Sequence, residues 1–224
     1  QGLLGQALAQ RAQRRGELGS GPQFEAARLA LSRAARAERP EPRALAALGK
    51  VLLSAGRTED AERALHRALE VAPDEPTAVL GLGQLKLASG ELEDPSDPLR
   101  GALALARRAA ALCGVPASED GAQDDAAQAP DLRDRERAQA AAAARANERG
   151  ESLESWQGVQ EEALLLLARC LAGVGDTAAA LRQYRRALSL REGTDAEAAI
   201  AREALRLALR RGRYADAASL AGLT

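Results

Sequence analysis

Apolar residues recur along this chain with helical spacing, and the pattern restarts after each turn. Ala61, Ala64, Leu65, Ala68 and Leu69 stand at i, i+3, i+4, i+7 and i+8, one stripe of an α-helix whose other faces are polar. Such a stripe must be covered by a neighbouring helix, and the preceding segment supplies one. It runs from about Ala44 to Ala55 and stops at Gly56, a residue that can take the left-handed conformation past a helix end. Thr58 is placed to cap the second helix, with Glu59 and Asp60 in its first turn and Arg67 nearer its end, the signs the helix dipole favours. Pro73 and Pro76 close the unit, because proline removes a donor and disfavours helix in the residue before it.

The unit then returns at an offset of 34 residues: Leu48-Gly49 as Leu82-Gly83, Gly56 as Gly90, and Leu45 as Val79. A glycine followed five residues later by alanine occurs at Gly56 and Ala61, Gly175 and Ala180, and Gly212 and Ala217. That period predicts an all-α fold, a right-handed α-solenoid of about five helix-turn-helix pairs with one insertion. The expected segments are a degenerate repeat over 1–41, repeats over 42–75 and 76–113, an insertion over 114–151, a repeat with an extended first helix over 152–193, and a last repeat over 194–224.

The departures are informative. In the first segment Leu4-Gly5 and Leu8 mimic the first helix, while Phe24, Ala27, Leu31 and Ala34 fit the second. After Gly90 the next crossing residue is Ala102, so the inner turn is lengthened and holds Pro95 and Pro98. The stretch from Pro116 to Pro130 carries Glu119, Asp120, Asp124 and Asp125 and reads as a mobile acidic loop. A helix is expected from Asp131 to about Asn147, then another capped by Ser152 and running through Trp156, a packing plug, to Leu171. The last repeat has no room for a polar capping helix, which leaves Ala217, Leu220 and Leu223 expected at an exposed end.

Composition narrows the function. Hydrophobic residues make up 46% but aromatics only 2%, which suits closely packed helices. Lys and Arg number 31 against 32 Asp and Glu, a net charge of −1, so the global basic excess of a nucleic-acid binder is missing. No apolar run reaches the length of a membrane span. Two cysteines without paired spacing fit neither a disulfide framework nor a zinc site, and a reducing, cytoplasmic setting follows. The start at Gln1 without any Met marks a processed protein, with a removed signal as one option, or an excerpt.

Chemistry finds little footing. His66 is the sole histidine, placed beside Arg67 and off the apolar stripe, with no nucleophile in view. Gly81-Leu82-Gly83 lies inside a predicted helix and lacks the third glycine of a dinucleotide fingerprint. Cys113 and Cys170 sit at core positions, and Asp124-Asp125 lacks further metal-ligand spacing. The expectation is no enzyme, no cofactor and no metal.

The Leu-Gly pair of the first helix, the turn glycine, the small crossing residue, Ala68-Leu69, Ala187-Leu188 and the closing Pro73 together resemble the tetratricopeptide repeat family. The resemblance covers Pro42 to Gly90 and Glu161 to Leu190 well, and Ala198 to Leu220 fairly. It implies a non-catalytic adaptor that holds a peptide segment of a partner protein in a concave face formed by the first helices. Carried over position by position, that groove takes Gln6 and Gln10, then Arg43, Ala46, Lys50 and Leu53, then Leu80, Gln84 and Leu87, then Leu165 and Arg169, and last Arg202, Arg206 and Arg210. The face is basic and apolar, so an acidic protein or peptide is the implied partner. The same arginines also fit solvated helix faces of an arginine-rich chain. The clamp with which chaperone-binding members hold a terminal carboxylate is not reproduced, since its positions read Ala46, Lys50 and Gly81. The acidic loop around Ala117 to Ala129 is a candidate internal competitor for the groove. The alternative function is a self-assembling structural subunit, a homo-oligomer docking through the uncapped last repeat; neither reading involves nucleic acid or membrane.

Overall fold

The computed structural model describes residues 2–14, 21–37, 40–94, 101–115, 140, 142–150, 152–190 and 195–221. Its regular elements are α-helices: α1 (Gly2–Arg14), α2 (Pro22–Ala35), α3 (Pro42–Ser54), α4 (Thr58–Val71), α5 (Pro76–Ala88), α6 (Ala102–Leu112), α7 (helical turns over 142–148), α8 (Leu153–Val174), α9 (Thr177–Ser189), α10 (Asp195–Arg210) and α11 (Tyr214–Ala221). This is an all-α repeat fold, and it divides into two compact units, Gln1–Leu105 and Ala106–Thr224.

In the first unit α1 packs on α2, α3 on α4, and α5 against both α3 and α4. Pro42 and Pro76 open α3 and α5, positions where a missing N–H costs nothing. Gly56 and Gly90 end the first helices at φ +71° and +81°, and Gly175 and Gly212 do the same in the second unit. The turn closes with Arg57 N donating to Leu52 O and Glu91 N donating to Lys86 O, both at 2.9 Å, which satisfies carbonyls a helix end leaves open. Thr58 is not the cap expected of it. Arg57 holds that position without a side-chain cap bond, and Asp60 instead pairs with both Arg57 and Arg63.

Leu65 is fully buried at the centre of this unit, and two glycines make its seat. A Cβ on Gly49 would lie 2.5 Å from Leu65 Cγ, and one on Gly81 2.8 Å from its Cδ2. Gly81, and not the Gly83 of the repeated Leu-Gly pair, is therefore the glycine that admits Leu65 from α5. In the first pair Gly5 receives Leu31 in the same manner. Beyond the lengthened turn, Ala102 N and Leu103 N donate to Glu91 O at 2.9 Å and Leu92 O at 3.1 Å, so main-chain carbonyls satisfy the start of α6.

In the second unit α8 packs on α9, α9 on α10, and α10 on α11. Ser152 caps α8 through its Oγ, which accepts from Ser155 N at 3.2 Å, and Asp176 caps α9 by accepting from Ala179 N at 3.0 Å. Trp156 is buried as the expected plug, with the Arg149 guanidinium 5.5 Å above its ring. Arg145 of α7 and Gln160 of α8 both donate to Cys113 O at the end of α6, at 3.4 and 3.0 Å. Gly114, at φ +79°, leaves open the space the Arg145 guanidinium occupies. The expectation of an exposed last helix is corrected: Ala217 and Leu220 are buried, because α11 lays its apolar side on α10. The proline-containing turn at Pro95 and Pro98, the acidic stretch Pro116 to Pro130, the Asp131 cap and Leu223 lie outside the described residues.

Candidate functional site

Glu203, Arg206, Leu207 and Arg210 follow one another at i, i+3, i+4 and i+7, which places them on one side of α10. With Arg169 and Ala172 of α8 and Tyr184 of α9 they line an open cleft of about 330 Å³ within the second unit. Arg169 grips Glu203 with two parallel bonds, Nε to Oε1 at 2.8 Å and Nη2 to Oε2 at 2.9 Å. Tyr184 adds a third, donating from its hydroxyl to Oε1 at 2.7 Å. A bidentate guanidinium bond plus a hydroxyl leaves this carboxylate well satisfied.

The electrostatics follow. The Arg169 bond holds the Glu203 carboxyl below its ordinary range against the opposing effect of burial, with Tyr184 helping. The same bond raises the Arg169 guanidinium, while burial and then the Glu203 bond raise the Tyr184 hydroxyl. Three guanidiniums and one carboxylate line the cleft, a balance of two positive charges. Since Arg169 is engaged by Glu203, the cationic surface offered to a ligand is that of Arg206 and Arg210, both exposed.

Of the groove residues expected from sequence, Arg169, Arg206 and Arg210 come together here. Leu165 and Arg202 are not among the lining residues, and Arg202 donates its Nε to Ala198 O of its own helix at 3.0 Å. In the first unit Arg43, Lys50, Gln84 and Leu87 are half-buried, and Leu53 packs on the core. Leu80 must be corrected, and so must Ala46: both are fully buried and present no side chain to a ligand. Leu80 belongs to a helix buried over nearly every residue from Pro76 to Gly83, so a groove register carried from an amphipathic helix fails on it. Gln6 is half-buried, and the Gln10 side chain lies outside the described residues.

Glu203 and Tyr184 were not singled out from sequence. The turn glycines Gly175 and Gly212 put Arg206, not Glu203, in the register of Arg169, so the repeat spacing did not mark Glu203. Nothing in the spacing marks Tyr184. His66 is exposed, 3.8 Å from Glu62 on its own helix. Cys113 and Cys170 are buried, and burial pushes the Cys170 thiol up to about 11. Among the described residues no group of side chains is arranged to hold a metal ion, and no helix is long and apolar enough to cross a membrane.

Residues 42–85 match the tetratricopeptide repeat family. No curated protein matches the chain. Among solved structures, MamA 41-end from Desulfovibrio magneticus RS-1 is similar over 99% of this chain and 90% of its own, with a TM-score of 0.52 at 18% identity. At that identity the likeness is one of fold.

Proposed function

We propose that this chain, whose residues 42–85 match the tetratricopeptide repeat family, is a protein-interaction scaffold and that its second unit binds an acidic segment of a partner protein in the cleft of α8, α9 and α10. The observation that supports this is the pairing of charges. Glu203 takes up Arg169, and Arg206 and Arg210 stand exposed over a cleft that also offers Leu207 and Ala172 as apolar surface. The chain acts here by holding a partner without changing it chemically. Exposed ion pairs contribute about 1 kcal/mol or less each. The two arginines together therefore supply at most about 2 kcal/mol, with the apolar contacts adding the remainder of an affinity expected in the millimolar range, about −4 kcal/mol.

Fluorescence anisotropy with labelled acidic peptides tests the reading. Reversing both charges, Arg206→Glu with Arg210→Glu, should weaken binding about tenfold or more, equal to about 1.4 kcal/mol. Added salt should weaken it further, as screening of exposed charges requires. Affinity that ignores both the reversal and the salt would rule the cleft out. Light scattering on the same samples addresses the self-assembling alternative, which a mass that grows with concentration would favour.

A further inference from the structure

Away from the cleft, the packing around α8 leaves two buried polar atoms without a partner. Trp156 is 1% exposed, and neither its Nε1 nor the buried Oε1 of Gln160 makes a hydrogen bond. A buried donor or acceptor left unpaired lowers a folding constant by about fivefold to a hundredfold, so folded chains seldom keep two of them on one helix. We propose that one water molecule is bound between Trp156 Nε1 and Gln160 Oε1 as an integral part of the second unit.

The geometry fixes both ends of this site. Gln160 Nε2 donates to Cys113 O at 3.0 Å, and Arg145 Nη1 donates to the same oxygen at 3.4 Å. Turning the amide over would set its oxygen against that carbonyl oxygen, so Nε2 stays there and Oε1 is the end left to accept. The indole offers a donor and nothing else. Trp156 and Gln160 stand four residues apart on α8, so they rise from one face with Cβ atoms about 5–6 Å apart. Two hydrogen bonds of roughly 2.9 Å in series cover that span.

The occupant must accept from an N–H and donate to a C=O. A metal ion or an ammonium accepts nothing, and a carboxylate donates nothing. A hydroxyl does both, and water is the smallest species that carries one. Bound there, the water completes a chain of hydrogen bonds from Trp156 through Gln160 to Cys113 O, where Arg145 joins from α7. The plug is then held at its ring nitrogen as well as at its face, over which the Arg149 guanidinium lies.

The full chain carries the reporter for the test, because Trp156 is its only tryptophan and gives a single indole N–H resonance. Nuclear Overhauser spectra in the laboratory and rotating frames separate a dipolar contact with water from proton exchange by the sign of the cross-peak. The indole proton should show a dipolar cross-peak to water in the parent chain. Gln160→Met, checked for native helix content by circular dichroism, should lose it. Arg149→Met removes the exchangeable guanidinium over the ring and should keep it, a second reading that does not require Gln160→Met to fold. No dipolar cross-peak in the parent would overturn the proposal. So would a cross-peak that survives Gln160→Met or one that disappears in Arg149→Met, since either would trace it to protons other than those of a bridging water. A cross-peak to carbon-bound protons of a co-purifying molecule would overturn the water in favour of a hydroxyl-bearing ligand.

Discussion

The two units use the same helical repeat for different ends. In the first, α3, α4 and α5 close around Leu65, and the glycines facing it bring backbones so near that no polar side chain fits between them. In the second, the crossing residue equivalent to Gly49 is Ala168, and α8, α9 and α10 are joined as well by the Arg169, Tyr184 and Glu203 bonds. Farther along, Asp216 of α11 receives Arg185 of α9 at 2.7 Å. Polar linkage at the exposed edge of a packed pair leaves charge facing solvent, which a purely apolar seam does not. The second unit carries a cationic cleft at this edge, whereas Lys50 and Gln84, which stand in the register of Arg169 in the first unit, are half-buried.

The comparison breaks first at Leu65. Leu65→Ala should destabilise the protein by about 2–5 kcal/mol, because it empties a site closed on two sides by glycine backbone. Urea denaturation gives the magnitude, and hydrogen exchange should place the loss of protection in α3, α4 and α5. Gly49→Ala attacks the same contact from the other side and should cost about 1–3 kcal/mol, since the new methyl meets Leu65 in a packed core. A near-neutral result would mean that Leu65 has room to move aside.

In the second unit the expected effects are smaller. Glu203→Ala strands Arg169 and Tyr184, but solvent reaches the site, so about 1 kcal/mol of stability is at stake. The same change raises the cleft balance from two positive charges to three, and anisotropy should show tighter binding of acidic peptides. Weaker binding would assign Glu203 a direct role in holding the ligand.

The pH dependence of the pair is smaller still. The folded carboxyl of Glu203 lies below its ordinary value of 4.5, so its contribution is fully present above that value and is lost as pH falls through the folded one. Acid denaturation followed below about pH 4.5 should therefore show a shallower loss in Glu203→Ala than in the parent. Parallel acid curves would show that the bond contributes nothing to stability.

The helices were largely legible in the amino-acid order because their signals are local. Apolar spacing of three and four, proline at helix starts and glycine just past helix ends act within a turn or two of chain, and they locate α3, α4, α8 and α9 to within a few residues. Thr58 shows where even local reading slips, since Asp60 takes both neighbouring arginines and the threonine becomes the first helical residue. The site was half legible. The period brings Arg206 and Arg210 to one side of α10, because four residues are little more than a helical turn. That Arg169 is held by Glu203, that Leu80 is enclosed and that Leu220 is covered by a neighbour each depend on which helix lies alongside. Periodicity determines which residues share a face. Only the tertiary structure decided which faces meet, because burial and charge pairing are properties of two surfaces in contact and a single strip of sequence contains one of them.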